Sequence, residues 1–390
     1  MDTRKEIELL RCCAALSLTP GREARAGELL RGGLDWGALF AAAKRHGLSP
    51  LLYRHLSGGL AGLVPPAELG RLRQVFRQNA VRNLFMAGEL CRLLELCGRG
   101  GVSALAYKGP ALAVDAYGDL SLRQFGDLDV LIRRRDLSRA TALLSAEGYV
   151  PEFELSGARE AAFQKWWYVQ PFRNEATGVY LELHWAVAPR FFSFGLETED
   201  LWRRRRTVAL GDREVWVPSV PDTLLLLCVH GAKDTWARME WVAALAEFVR
   251  RHEIDWRESL RQARGLGVER ILLLGLKLAR ELSGVELPAF VAERVEASRP
   301  VRALSARVAG ELAQREKSFQ SFFGRASFHL RARERVADRA RYCLRAAAAT
   351  SPSEWDLLPL PANLFFLYPL VRPFRFAKGL LSGGDARRKG

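Results

Sequence analysis

The chain lacks any run of ~18 uncharged apolar residues, the length that a membrane-spanning helix needs. Its opening, Met1-Asp-Thr-Arg-Lys-Glu6, lacks the basic start and apolar stretch of a secretory leader. Both absences set the expectation of a cytoplasmic protein with no transmembrane span and at most weak peripheral contact with a membrane. Cysteine is scarce as well. The six present (Cys12, Cys13, Cys91, Cys97, Cys228 and Cys343) have no zinc-type spacing and fall mostly in helical apolar patterns. Neither a disulfide framework nor a structural zinc is expected. Carboxylates are in deficit too: 44 Asp and Glu face 59 Lys and Arg, a formal charge of +15. Such a balance suits polyanions, but outside the runs Arg133 to Arg135 and Arg203 to Arg206 the arginines are spread along the chain. That spread reads as compositional bias, and a nucleic-acid substrate is not the expectation.

What remains is ample for folding: 390 residues, 49% hydrophobic, allow two or more domains. Residues 1–98 read as a helical region, with apolar residues at three- and four-residue spacings broken at Pro20-Gly21, Gly32-Gly33 and Pro65-Pro66. From Gly98 the pattern changes to strand, helix, strand, helix, an α+β core over 99–218. Residues 219–350 return to amphipathic helix. The stretch 351–390 is a proline-punctuated, aromatic tail, expected to pack over the helical domain.

Within the core, Val102 to Tyr107 reads as a strand feeding a helix opened by Lys108-Gly109-Pro110. A helix start of this kind favours anions, and Lys108 stands at its mouth. The central stretch is Arg123-Gln-Phe-Gly-Asp-Leu-Asp-Val-Leu-Ile132. Asp127 and Asp129 are two apart on a strand, so both carboxylates emerge on one face, where they can share metal ions. Gly126 lets a ligand approach the backbone, and Arg123 lies near enough to meet an anion. Two further strands, Lys165 to Phe172 and Val179 to Trp185, are joined by Asn174 to Gly178 as a hairpin. On the second, Tyr180, Glu182 and His184 share a face. Glu182 is the candidate third carboxylate, provided this strand lies beside the Asp127/Asp129 strand with matching faces. His184 reads as a packing or supporting histidine at the site's edge, ahead of direct chemistry. His230 and Lys233, three apart on a helix begun by Pro221-Asp222, could face a phosphate or substrate, or equally contact carbonyls or Asp234 at the helix end.

Taken together, Tyr107-Lys-Gly-Pro-Ala-Leu112, Leu122 to Leu131, Gly148-Tyr149, Leu181-Glu-Leu-His-Trp185 and Leu227 to Lys233 resemble the bacterial "uncharacterised nucleotidyltransferase" family of the DNA polymerase β-like nucleotidyltransferase superfamily. The likeness runs from the helical lead-in to the closing Leu-Pro-Leu-Pro and Leu-Tyr-Pro-Leu-Val-Arg-Pro segments. It implies a polymerase β-like core between helical regions, with Asp127, Asp129 and Glu182 holding two Mg²⁺ (or Mn²⁺) ions. It further implies transfer of NMP from an NTP to a hydroxyl of a small-molecule, sugar or peptide acceptor, with pyrophosphate leaving. Lys108, Gly109, Arg123 and Gly126 would bind the nucleotide. One departure is plain: Pro110, which has no N–H, stands where the superfamily commonly has serine. The alternative is a catalytically inactive relative that binds nucleotide or a partner in polysaccharide or natural-product biosynthesis.

Overall fold

The computed structural model describes residues 4–153, 157–192, 195–313, 322–349, 360, 364, 367 and 368. It opens with five helices: α1 (Arg4–Cys12), α2 (Pro20–Arg31), α3 (Trp36–His46), α4 (Ser49–Leu56) and the long α5 (Pro66–Arg99). Next come β1 (Ala104–Ala106), α6 (Gly109–Leu112), β2 (Leu128–Ile132), α7 (Leu137–Ala146), β3 (Tyr149–Pro151), α8 (Gly157–Trp166), β4 (Val169–Asn174) and β5 (Val179–His184). α9 (Thr198–Arg203) leads to the hairpin β6 (Arg206–Leu210) and β7 (Arg213–Val217). The helices α10 (Val220–Lys233), α11 (Met239–Arg251), α12 (Trp256–Leu266), α13 (Glu269–Ser283), α14 (Ala289–Ala297), α15 (Arg299–Leu312), α16 (Phe322–Ala332) and α17 (Val336–Ala348) follow. The α+β class expected from the alternating patterns is therefore observed. None of the described helices is long and apolar enough to cross a membrane.

The first five strands form one mixed sheet in the order β1-β2-β5-β4-β3. Only β2 and β5 run parallel; the other pairs are antiparallel. The β4–β5 hairpin closes as its sequence suggests: Asn174 Oδ1 accepts the N–H groups of Ala176 and Thr177, both at 3.1 Å, before Gly178. Alternation then sorts the side chains. Leu128, Val130, Ile132, Val179, Leu181 and Leu183 are buried on the face covered by α5 and α7. The opposite face carries Asp129, Glu182 and His184, with Leu105, Tyr107 and Leu131 packed against Trp202 and Leu226. A larger core joins α1–α4 to α10–α15.

Local readings need correction in two places. The strand expected from Lys165 begins at Val169, because Gly157–Trp166 is helical. Its Ala-Arg-Glu-Ala-Ala run has strong helix propensity, and Phe163 is buried on its inner side. The helix break read across Gly98 to Gly101 is present, with α5 ending at Arg99 and Gly100 as its C-cap. Of the tail, Leu360, Leu364, Leu367 and Tyr368 are described; Tyr368 is buried in the core under the sheet, with Leu360 packed alongside, and not over the helical domain. The rest of the tail lies outside the described residues.

Candidate active site

The site is assembled at the junction of β2 and β5. Their parallel register makes Asp129 and Glu182 direct Cα partners. Registered partners on adjacent strands share a face, so the two carboxylates stand together. His184, two residues beyond Glu182, points to the same side. Its Nε2 lies 3.1 Å from Asp129 Oδ1 and 3.1 Å from Glu182 Oε2. Its Nδ1 is 3.2 Å from the Tyr107 hydroxyl. Asp129, Glu182 and His184 each offer one donor atom within 4.8 Å of the others. Two carboxylate oxygens and an imidazole nitrogen are a donor set suited to a divalent cation such as Mn²⁺ or Mg²⁺.

Asp127 stands just before β2, half-buried, and is not one of these three groups. Burial and the neighbouring charge of Asp129 push its carboxyl up to about 6. Asp129 behaves in the opposite way. It is buried, which alone would favour the neutral acid, but Lys108 and His184 hold it well below the usual carboxylate range. For Glu182, the hydrogen bond and charge of His184 likewise outweigh the effect of burial, and its pKa is lowered. So the two registered acids stay ionised, and Asp127 is the acid poised nearest neutrality.

Lys108 precedes α6, and its ammonium turns inward to meet Asp129 Oδ1 at 2.5 Å. Burial opposes its charge, yet Asp129 and Glu182 prevail and raise its pKa. The following Gly109 is needed for two reasons. Its φ of +54° is left-handed, and a Cβ there would sit 3.3 Å from the Asp127 carbonyl oxygen. Backbone and acid strand thus come closer than a side chain permits. Pro110 and Ala111 continue into α6, buried against the sheet.

Arg123, expected at the nucleotide, is instead committed to the protein. It is 7% exposed, lies 2.8 Å from the buried Glu240 of α11, and donates from Nη1 to the Gly109 carbonyl at 3.2 Å. A guanidinium so enclosed, with a carboxylate of its own, braces the Lys108-Gly109 turn. Gly126 is exposed, and its carbonyl accepts a 2.9 Å hydrogen bond from Arg82. Sequence reading missed the clamp to which that bond belongs. Asn79, Arg82 and Asn83, at helical spacing on α5, donate to the carbonyls of Leu120, Ser121, Arg123, Phe125 and Gly126. Polar residues at that spacing in a stretch with nearby apolar positions were the available signal.

α10 closes the other side. Lys233 donates to the Tyr168 hydroxyl at 2.6 Å, and its Nζ is 3.3 Å from Asp234. The Tyr168 ring lies 5.6 Å from that of His184, which links this lysine to the acid cluster. Burial disfavours the ammonium, but Tyr168 and Asp234 raise its pKa. His230, 3.6 Å from Asp234 and edge-on to Trp241, is kept neutral by burial and by the charges of Lys108 and Lys233. The pair meets Asp234 at the helix end, and through Tyr168 it borders the cluster. The turn after them is strained, with Thr235 and Trp236 at φ of 55° and 54°. Trp236 fixes it, fully buried against Gly231, where a Cβ would lie 2.6 Å from the indole.

A family model described as uncharacterised nucleotidyltransferase matches residues 32–284, which span α3 to the end of α13 and hold every residue of this cluster. The match stops short of the closing proline-rich segments. No curated protein and no solved structure matches the chain.

Proposed function

The chain belongs to the uncharacterised nucleotidyltransferase family, and on that premise we propose that it is a metal-dependent enzyme. It transfers NMP from an NTP to a hydroxyl of a small-molecule, sugar or peptide acceptor. The observation that carries this reading is the pairing of Asp129 with Glu182 in parallel register, with His184 bridging them. We read the sheet as a polymerase β-like core, supported by an Asp-x-Asp segment that leads into β2 beside an acid-bearing strand.

Asp129, Glu182 and His184 would hold a divalent ion, Mg²⁺ or Mn²⁺. When bound, that ion supplies charge neutralisation at the reacting phosphate. The remaining work belongs to the chain. Asp127, with its carboxyl near 6, accepts the proton of the acceptor hydroxyl as the oxygen bonds to the α-phosphorus; the bond to the bridging oxygen breaks and pyrophosphate leaves. Lys233, with Tyr168 beside it, and Lys108 supply positive charge for the phosphate chain. Gly109 contributes backbone, since Pro110 offers no N–H.

The second reading, a non-catalytic nucleotide- or partner-binding relative, draws support from Pro110 and from the Lys108–Asp129 pair, which occupies an acid that turnover would need. Incubation of the full chain with α-labelled NTPs, Mg²⁺ or Mn²⁺ and panels of hydroxyl acceptors separates the two. We expect metal-dependent pyrophosphate release that Asp129→Asn lowers about a thousand-fold. Nucleotide-dependent thermal stabilisation without turnover points to the binding reading. Equal turnover by wild type and Asp129→Asn discards the enzymatic one.

A further inference from the structure

We infer that Lys108 is a built-in counter-ion that competes with a divalent cation for Asp129, so that the cluster takes up metal tightly only when a phosphate chain is present to receive the lysine ammonium. The inference rests on the reading of Asp129, Glu182 and His184 as a metal centre. It adds a residue that gates that centre and an order to its filling.

The geometry is specific. A lysine at the mouth of a strand-to-helix turn could project toward solvent. Here the side chain is only 12% exposed, and Nζ reaches the same carboxylate oxygen, Oδ1 of Asp129, that His184 Nε2 approaches from β5. Lys108 is therefore drawn into the group of donors that would surround an ion. With two carboxylates and one ammonium, half of the negative charge that would attract an ion is already offset without metal. An arriving divalent cation must either displace the ammonium from Oδ1 or bind beside a positive charge at close range, and both weaken its hold.

A phosphate chain changes the balance. The ammonium then has an alternative anion within reach of its flexible stem, and Asp129 is released to the ion. Two ligands that each relieve the other's cost bind cooperatively, and the coupling is reciprocal: nucleotide strengthens metal binding by the factor with which metal strengthens nucleotide binding. Removing the Lys108 charge should tighten metal binding and abolish most of the coupling.

The test is direct Mn²⁺ binding to the full chain, followed by electron paramagnetic resonance, with and without a non-hydrolysable α,β-methylene nucleotide, free nucleotide-bound Mn²⁺ being subtracted. Wild type, Lys108→Met, Lys108→Arg, Asp129→Asn and the Lys108→Met/Asp129→Asn pair are compared after circular dichroism has shown each to be folded. Without nucleotide, Lys108→Met is expected to bind Mn²⁺ about ten-fold more tightly than wild type. Lys108→Arg should resemble wild type, and Asp129→Asn should remove the tight site in either background. Nucleotide should strengthen Mn²⁺ binding about ten-fold in wild type and less than about two-fold in Lys108→Met. A folded Lys108→Met protein with Mn²⁺ affinity equal to or below wild type overturns the counter-ion role and leaves the metal centre standing. Absence of any Asp129-dependent Mn²⁺ site in every variant overturns both.

Discussion

Asp129 on β2 and Glu182 on β5 are 53 residues apart in sequence and direct partners in space, joined across the sheet by one imidazole nitrogen 3.1 Å from each carboxylate. That relationship puts His184 among the groups that could hold an ion. Imidazole favours Mn²⁺ over Mg²⁺, which prefers oxygen. His184→Gln is thus expected to depress Mn²⁺-supported turnover more than Mg²⁺-supported turnover, about ten-fold in the ratio. Initial rates with each metal give the answer, and an unchanged ratio would remove His184 from the coordination sphere.

Gly109→Ala forces a side chain into a left-handed backbone position and against the Asp127 carbonyl, 3.3 Å away. The expected cost is about 1–2 kcal/mol of stability. Because the displaced strand carries the acids, turnover should fall by more than the loss of folded protein explains. Chemical denaturation together with rates normalised to folded fraction checks both parts. A melting midpoint like that of wild type would contradict the strain argument.

Glu240 is 3% exposed and serves as the carboxylate of the enclosed Arg123. Glu240→Ala leaves a buried guanidinium without its counter-charge and should destabilise the fold by about 3 kcal/mol. The double replacement Arg123→Met/Glu240→Leu is expected to recover most of that loss, as apolar substitution of both partners of a buried pair commonly does. A double-mutant cycle by urea denaturation measures the coupling. Equal destabilisation by the single and double variants would show that the pair is not the relevant unit.

His329, on α16, gives a pH dependence remote from the site. Burial first, then the charges of Arg333 and Arg325, lower its pKa to about 3. The folded protein keeps this ring neutral, while the unfolded chain protonates near 6.5. Its contribution is therefore fully present above about 6.5 and is lost as pH falls toward 3, because the unfolded state then binds the extra proton. Stability should decline from pH 7.5 to 5 by about 1–2 kcal/mol from this group, and His329→Leu should flatten that decline. Parallel slopes for the two proteins would assign the acid sensitivity elsewhere.

Sequence made the acids legible because strand alternation is local: Asp129 and the Glu182/His184 pair could be assigned to faces from their neighbours alone. Which strands adjoin is a different matter. β2 and β5 are separated by α7, β3, α8 and β4, and only the folded sheet puts them in register. For the same reason His184 could be read as peripheral, although its contacts place it between the acids. Arg123 shows the limit most clearly. Its partner Glu240 lies over a hundred residues away on a helix whose own pattern reads as ordinary amphipathic. A basic residue beside an acidic strand suggests an anion site, and nothing nearby in sequence reveals that a protein carboxylate has already claimed it. The helical start at Gly157 was hidden by short range in another way, since Trp166, Trp167 and Tyr168 carry strand-like character past the point where α8 ends.

The six hydrogen bonds from Asn79, Arg82 and Asn83 to the chain ahead of β2 give α5 a duty beyond covering the sheet. A shortened protein starting near residue 100 would keep every acid of the cluster, yet the peptide carbonyls from Leu120 to Gly126 would lose their donors and the approach to Asp127 its anchor. The leading helices and the acid-bearing sheet are on this view a single mechanical part, and swapping either for that of a relative should succeed only when both travel together.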